Sequence, residues 1–335
     1  NNDVGKTAIL EALYLSINPN NAQLPLNINA FRGITVVDNQ FWKSLFLNYN
    51  VDNLIEINAV LFGKHSLQVK PEPIIEINEP LKLVQENIRI PEATSGTNVN
   101  QQVTGLKINF SYKMKGHDTT DTYSSEVKFI PDNLVQKQSP FKFTPNDNWK
   151  SIMDGFYLAT QNTYGDDLTD RISKISALNM EDDLVSIARE IERRVRKIDI
   201  DSKRRVRIEL EDLPEKILIN SLGEGVYTTI NIVSLIYSAP NGVVLLDEVD
   251  RGLDRNSQKI VWRAIFKTAK RFNVQVFATT HSMEMIHNFN KIALEEKMTD
   301  DIGLTRIEIV DSKHKATQIP QEKLQVFISE NLEVR

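Results

Sequence analysis

The feature that most constrains the fold of this chain is an apolar run that ends in two adjacent carboxylates. Val243–Leu246 is apolar without alternation, and it lies between a Pro-Asn-Gly turn and the pair Asp247-Glu248. Such a run predicts a strand that is buried on both faces, as in the middle of a parallel sheet. Parallel sheets carry their ligands at the carboxyl ends of the strands. An acidic turn after a core strand is the alternative interpretation, so the pair needs support from other motifs.

The composition is that of an ordinary soluble globular protein. A chain of 335 residues with 41% hydrophobic and 25% charged residues is long enough for one large α/β domain or two smaller ones. The net charge of −5 argues against an overall basic nucleic-acid binder, although it permits a local basic patch. The chain contains no cysteine, which excludes disulfides and thiolate metal sites and fits a reducing cytoplasm, the location that we expect. Because no apolar stretch approaches about 20 residues, we expect no membrane partner.

The chain opens on the second half of a phosphate-binding loop, Gly5-Lys6-Thr7, which runs into a helical pattern. In that motif the backbone amides and the helix N-terminus hold phosphate oxygens, Lys6 reaches the β- and γ-phosphates, and the Thr7 hydroxyl binds Mg²⁺. We also place Asn2 and Ala8 among the residues that contact the nucleotide. The first glycine of the motif would fall one position before the start of the chain, so we expect an N-terminally truncated piece.

Short strand-like runs follow one another between residues 54 and 130, several of them with period-2 alternation. Such runs joined by turns predict an antiparallel sheet. The predicted strands cover residues 54–62, 66–70, 74–77, 106–112 and 123–130. The polar stretches 18–32 and 91–102 are predicted to be loops, and residues 41–47 a short helix.

A helical segment is predicted from about residue 168 to residue 197, after a strand at 156–160. Its apolar residues, among them Leu178 and Val195, recur at helical spacing. Eight basic residues that overlap its end form what we call the basic cluster. Two interpretations stay open for it: a solvated face whose charges are offset by acidic neighbours, or a contact surface for nucleic-acid phosphates. The basic cluster consists of Arg193, Arg194, Arg196, Lys197, Lys203, Arg204, Arg205 and Arg207.

A second anion-binding pattern follows at residues 221–225, which read Ser-Leu-Gly-Glu-Gly and precede a predicted helix at 226–238. Ser221, Gly223 and Gly225 leave backbone amides unobstructed next to a helix N-terminus, a geometry that favours anions. A simple loop that caps the helix is the alternative interpretation.

The segment after residue 254 places a histidine beside the two carboxylates. A predicted helix at 257–271 and a strand at 274–278 follow the first apolar strand, and a crossover of this kind makes the two strands parallel. Thr280 and His281 then lie at the same sheet edge as Asp247 and Glu248. A histidine there donates a hydrogen bond to a γ-phosphate oxygen, although a structural histidine is the alternative. A strand at 305–310 and a helix at 321–329 are predicted for the tail.

The order of these motifs resembles that of ABC-type nucleotide-binding heads of the soluble SMC, RecF and OLD-like branch. The closest resemblance is to the stand-alone OLD-like (overcoming lysogenization defect) ATPases of bacterial anti-phage defence systems. It implies an α/β fold of the P-loop NTPase class, with an antiparallel β lobe, a mainly parallel core sheet and a helical insertion. The implied division is an N-terminal ATPase lobe at residues 1–160, a helical lobe at 161–203 and a C-terminal ATPase half at 204–335.

The resemblance also implies a role for each motif residue. Asp247 would be the second Mg²⁺ anchor, Glu248 would activate the hydrolytic water, and His281 would sense the γ-phosphate. Lys6, Glu248 and His281 would be the catalytic residues. Ser221, Gly223 and Gly225 match the signature motif, which contacts the ATP held by a partner subunit. Asp254 matches the D-loop aspartate, and Gln161 the Q-loop glutamine that contributes to the metal site.

The implied function is Mg²⁺-dependent ATP hydrolysis by a head-to-tail homodimer or higher homo-oligomer. Its nucleotide state would be coupled to DNA or to a separate effector protein in anti-phage defence. We expect no counterpart of the nuclease domain of OLD nucleases in this chain, and any nuclease would then be a separate effector. The alternative is a non-hydrolysing, ATP-gated scaffold that holds and releases an effector. A transporter subunit is disfavoured by the form of the signature.

Overall fold

The structure is a computed structural model that describes residues 5–34, 36–61, 65–78, 100–130, 139–159, 166–311, 313–320, 323, 324 and 326. Asn2 and Gln161 lie outside the described residues. So do most of the predicted loop at 91–102 and most of the predicted helix at 321–329. The end of that predicted loop, from Asn100, is already part of a strand.

The helices in chain order are α1 Lys6–Ile17, α2 Leu24–Phe31, α3 Asn39–Lys43, α4 Asp166–Ala177, α5 Glu181–Ile191, α6 Glu224–Ser238, α7 Arg255–Phe272 and α8 Met283–Glu295. The strands are β1 Ile57–Leu61, β2 His65–Asn78, β3 Asn100–Met114, β4 Asp121–Phe129, β5 Phe141–Thr144, β6 Gly155–Leu158, β7 Val195–Ile200, β8 Val206–Leu210, β9 Ile217–Leu218, β10 Val243–Leu246, β11 Gln275–Ala278, β12 Leu304–Val310 and β13 Lys313–Ile319.

The chain divides into two compact units, residues 1–17 with 152–335 and residues 18–151. Strand β6 belongs to the first unit because it pairs with β10, and α1 packs on both strands. The three-lobe division with boundaries at residues 160 and 203 concerns functional lobes and stays a prediction.

A parallel sheet forms the centre of the first unit, in the order β11-β10-β6 within the described residues. Every residue of β10 is buried, which confirms the predicted strand at Val243–Leu246 and its position between two parallel neighbours. Helix α7 packs against this sheet through a face that contains Val261, Ile265 and Phe266. It begins after Asp254, whose carboxylate accepts hydrogen bonds from the first free amides of the helix.

The predicted single helix from 168 to 197 is wrong at its end. The chain forms α4 and α5, then turns at residues 193–194 into β7. Leu178 lies in the turn after α4 and is 64% exposed, and Asn179 adopts the left-handed conformation that ends a helix. Val195 and Ile198 are buried in β7 because a bulge between Val195 and Lys197 restores the inward alternation.

The second unit is an antiparallel sheet in the order β1-β2-β3-β4-β5, as predicted from the alternating runs. The two predicted strands at 66–70 and 74–77 are one strand, β2, with an irregularity between Ile74 and Ile75. The predicted loop at 18–32 is wrong, since it contains α2. Pro25 lies in the first turn of α2, where no amide hydrogen bond is lost, and Ile28 is buried.

Two elements near the end of the chain were not predicted, helix α8 and strand β13. Strand β13 pairs with β12 as a hairpin, and its last residue, Ile319, packs against Ile286 of α8. Among the described residues, none of the helices combines the length and the apolar character that a membrane span requires.

Candidate active site

The site lies at the carboxyl edge of the parallel sheet. Leu246 of β10 is in register with Leu158 of β6 and with Ala278 of β11, so the three strands end together. The backbone hydrogen bonds between the strands continue for one residue beyond Leu246, towards both β6 and β11. The amide of Asp247 donates to the carbonyl of Leu158, and the amide of Thr279 donates to the carbonyl of Leu246, both at 2.9 Å. Asp247 and Thr279 therefore lie side by side at the edge.

The phosphate-binding loop reaches the same edge. Gly5 has φ +79°, a left-handed conformation that favours glycine, and α1 begins at the next residue. The ammonium group of Lys6 donates to the carbonyl oxygen of Thr280 at 2.8 Å and lies 3.3 Å from Nδ1 of His281. The Thr7 hydroxyl donates to the carboxylate oxygens of Asp247 at 3.1 and 3.2 Å. The structure thus brings Lys6, Thr7, Asp247 and His281 together.

Thr279 connects the two carboxylate residues. Its hydroxyl donates to Oδ1 of Asp247 at 2.6 Å and accepts a hydrogen bond from the amide of Glu248 at 2.9 Å. Glu248 has φ +49°, a conformation that is uncommon for a residue with a side chain. The amide of Val249 donates to the carbonyl of Thr279 at 3.0 Å. The turn that presents Glu248 is therefore held by two consecutive hydrogen bonds to Thr279.

The neighbouring Thr280 ties the site to the turn at residues 249–254, which we call the D-loop. Its hydroxyl donates to Asp250 at 2.5 Å and accepts from the amide of Ser282 at 3.0 Å. Its carbonyl is the acceptor for Lys6. One residue thus contacts both the phosphate-binding loop and the D-loop.

The surroundings of His281 favour its neutral form. Burial lowers the pKa of the imidazole, and the positive charge of Lys6 lowers that pKa further. Since an ammonium group only donates hydrogen bonds, Nδ1 must be the acceptor. The proton of the neutral ring is then on Nε2.

We expect the imidazole of His281 to titrate below its ordinary value of 6.5. The Lys6→Met substitution should raise this pKa, because it removes a nearby positive charge while keeping most of the side-chain volume. Because the unfolded chain binds the proton more tightly, the contribution of this residue to stability is complete above pH 6.5 and is lost progressively as the pH falls below that value. Histidine ring NMR measures the titration, and an unchanged pKa in Lys6→Met would contradict the assigned contact.

The signature loop, residues 221–225, lies against the D-loop of the same chain. Gly223 precedes α6 with φ +114°, and the Glu224 side chain covers Gly252, where an added Cβ would come within 2.2 Å of the Glu224 carboxyl carbon. An added Cβ on Gly225 would lie 3.1 Å from the Ser257 hydroxyl. Ser221, Gly223 and Glu224 are exposed at the N-terminus of α6.

Asp254 has a structural use in this chain. Its carboxylate accepts hydrogen bonds from the Ser257 hydroxyl at 2.6 Å and from the amides of Asn256 and Ser257 at 2.8 and 3.2 Å. The Ser257 hydroxyl is the first cause, and these amides the next, of a lowered pKa of the Asp254 carboxyl. Asp254 therefore stays ionised as the N-cap of α7, and its predicted role between subunits stays a prediction.

Three further residues near the site are one that the sequence predicted, Ala8, and two that it did not, Thr279 and His314. Ala8 lies exposed in the first turn of α1. Thr279 was not predicted as a site residue, because its role depends on the register between β10 and β11. His314 was not predicted either. Its ring lies beside Gly5, 3.6 Å from the position that a Cβ would take there, and it belongs to strand β13, which was not predicted.

The basic cluster is largely neutralised by neighbouring carboxylates. Arg194 pairs with Glu192 and Asp212 at 2.9 and 2.8 Å, and Arg205 and Arg207 share Asp201 at 2.8 and 2.9 Å. Three more ion pairs join Arg196 to Glu211, Lys197 to Asp199 and Arg204 to Asp170. This arrangement favours the first interpretation, a solvated face with compensated charge.

Comparison with known proteins assigns a family to this chain. The family model described as AAA ATPase domain matches residues 1–286. A Helicobacter pylori protein named ATP/GTP phosphatase is 22% identical over 321 residues, which cover 88% of this chain and 81% of the relative.

Solved SMC heads are similar to this chain at low sequence identity. An SMC head bound to the C-terminal winged-helix domain of ScpA is 12% identical with a TM-score of 0.45, covering 96% of this chain and 90% of that one. The SMC head domain from Thermotoga maritima is 13% identical with a TM-score of 0.35, covering 67% of this chain and 77% of that one.

The family model and the architecture agree. The parallel sheet, the phosphate-binding loop that runs into α1, and the paired acidic residues after β10 form a mixed α/β fold of the P-loop NTPase class. Because the matched segment is most of the sequence, the chain belongs to the AAA ATPase domain family.

Proposed function

We propose that this protein hydrolyses ATP in a Mg²⁺-dependent reaction, with Glu248 as the group that activates water. The observation that carries the proposal is the convergence of Lys6, Thr7, Asp247 and His281 at the sheet edge where Glu248 also lies. A lysine, a hydroxyl and two carboxylates are groups that P-loop enzymes use for phosphoryl transfer to water, and the histidine adds a hydrogen-bond donor.

The positively charged side of the site suits a triphosphate. The N-terminus of α1 carries a partial positive charge and backbone amides without partners inside the helix, and Lys6 is the first residue of this helix. In the present contacts Lys6 is held by Thr280 and His281, and a γ-phosphate that enters between them gives it a stronger acceptor. The Nε2 proton of His281 supplies a further donor to the same phosphate.

The donor set fits a magnesium ion. Thr7 and Asp247 offer oxygen ligands that are already within hydrogen-bond distance of each other. Protein sites usually hold Mg²⁺ by one or two carboxylates together with substrate phosphates, and Thr7 with Asp247 is a donor set of that size. When bound, the ion neutralises charge on the phosphates.

Water has access to the proposed base. A cavity of about 130 Å³ borders both Asp247 and Glu248, and it is also lined by Glu224 and Tyr227 of α6. This volume accommodates several water molecules, since one needs about 10–15 Å³ of such space. Water in this cavity would therefore lie next to Glu248.

We further propose a head-to-tail dimer in which each signature loop completes the ATP site of the other subunit. Its support is the exposure of Ser221 and Gly223 at a helix N-terminus, where a hydroxyl and backbone amides can receive a partner's phosphates. ATP would then close the dimer, and hydrolysis would open it. Because the basic cluster is compensated, we favour a protein effector over DNA as the controlled partner, and the OLD-like resemblance extends the proposal to anti-phage defence.

Phosphate release from ATP tests the proposal, with GTP as a second substrate because the relative's name includes both nucleotides. We expect turnover that requires Mg²⁺ and that EDTA abolishes. The Asp247→Asn substitution should raise the Mg²⁺ concentration for half-maximal rate by roughly 10- to 100-fold. Asp212→Asn, which removes an exposed carboxylate from the turn after β8, is the matched control and should behave as wild type. Turnover that is insensitive to EDTA would contradict the proposal.

A further inference from the structure

A single hydroxyl group links the two carboxylate residues of the site. Thr279 Oγ1 donates its only proton to Oδ1 of Asp247 at 2.6 Å, and it accepts the amide proton of Glu248 at 2.9 Å. The same oxygen thus contacts the residue proposed to hold the metal ion and the backbone of the residue proposed to activate water. An amide, a thiol or an aliphatic group of similar size does not make both contacts at these distances.

The hydrogen bond from the Glu248 amide to the Thr279 hydroxyl is important because of the backbone conformation at Glu248. A φ of +49° on a residue with a side chain is sparsely populated and persists only where neighbouring groups hold it. Here the amide of Glu248 is bound by the Thr279 hydroxyl, and the amide of Val249 by the Thr279 carbonyl. Loss of the hydroxyl removes one of these two restraints and leaves the Glu248 amide without that acceptor.

We propose that Thr279 is a positioning residue for the hydrolytic step, which fixes the rotamer of Asp247 and the direction of Glu248 at once. The inference rests on the proposed ATPase function and adds to it a residue outside the recognised motifs. Thr279 acts through Asp247 and Glu248 and does not itself touch the substrate.

The side chain of Thr279 makes the contacts that position the site, whereas its backbone makes the contacts that hold the fold. Its backbone amide and carbonyl hold the strand end through Leu246 and Val249, and neither bond involves the side chain. Valine has nearly the same shape and the same preference for extended backbone, so Thr279→Val removes the hydroxyl and keeps the strand end. Thr279→Ser keeps the hydroxyl and removes only the methyl group.

The experiment compares wild type, Thr279→Val and Thr279→Ser for kcat, KM, melting temperature and the affinity of the protein–nucleotide complex for Mn²⁺, measured by electron paramagnetic resonance. We expect kcat of Thr279→Val to fall about 10- to 100-fold and Mn²⁺ affinity to weaken, with KM and melting temperature close to wild type. Thr279→Ser should restore most of the rate. Thr305→Val, which changes an exposed threonine of β12, is the matched control.

A second comparison uses the Glu248→Gln background. If Thr279 acts by directing Glu248, Thr279→Val should reduce the residual rate of Glu248→Gln far less than it reduces the rate of wild type. The proposal is overturned if Thr279→Val keeps the wild-type kcat and Mn²⁺ affinity, or if Thr279→Ser is as impaired as Thr279→Val. Absence of turnover in wild type would instead refute the proposed function, and the Mn²⁺ affinities would still decide whether Thr279 positions Asp247.

Discussion

Glu248→Gln is expected to reduce ATP turnover by about 10²- to 10⁴-fold, the usual contribution of a general base, while ATP binding stays near the wild-type level. Glutamine has the shape of glutamate and keeps the backbone turn at φ +49°, but it cannot accept a proton from water. The residues proposed to bind the phosphates, Lys6 and Thr7, are unchanged. The loss should therefore appear in kcat and not in nucleotide affinity.

Phosphate release measures the rate, and equilibrium dialysis with labelled ATP measures binding. Because hydrolysis would open the dimer, Glu248→Gln with ATP and Mg²⁺ should also remain dimeric in size-exclusion chromatography with light scattering. Glu284→Gln is the matched control, since Glu284 is an exposed glutamate whose nearest charge is Arg255 of α7. Turnover near wild type in Glu248→Gln would remove Glu248 from its assigned role.

The parts of the fold that could be predicted have a local signal or follow from a general rule for connections between strands. The strand at Val243–Leu246 has the predicted bounds because a strand buried on both faces needs apolar residues without alternation. The closeness of Asp247 and His281 to one sheet edge followed from the crossover rule, which makes β10 and β11 parallel. The phosphate-binding loop followed from its glycine and the helix after it.

The parts that could not be predicted depend on partners distant in the sequence. Val195 fits a helical repeat, and only its pairing with β8 makes it a strand residue. Thr279 could not be predicted as a site residue, because its hydroxyl reaches Asp247 only through the register of β10 and β11, which aligns Leu246 with Ala278. His314 reaches Gly5 through a hairpin whose second strand has no apolar alternation to identify it.

Mixing two inactive variants should restore activity if the ATP sites are shared between subunits. Lys6→Ala removes the ammonium group from the phosphate-binding loop, and Ser221→Arg places a bulky group on the exposed signature loop. Each homodimer then has two defective sites. In the mixed dimer one site combines both defects, whereas the other combines an intact loop with an intact signature. Random mixing of equal amounts should therefore recover roughly a quarter of wild-type turnover, if the two sites act independently.

The recovery distinguishes a head-to-tail dimer from a self-contained subunit, because a site formed by one chain cannot be repaired by a chain with its own defect. Phosphate release is measured for each variant alone and after mixing with ATP and Mg²⁺. Lys6→Ala mixed with Lys6→Met is the control, and it should stay inactive since every site then lacks the lysine. Ser221 is exposed at the end of a short turn, so arginine there extends into solvent and leaves the buried core around α6 intact. No recovery from two folded, dimer-forming variants would exclude the shared site and leave a self-contained ATPase.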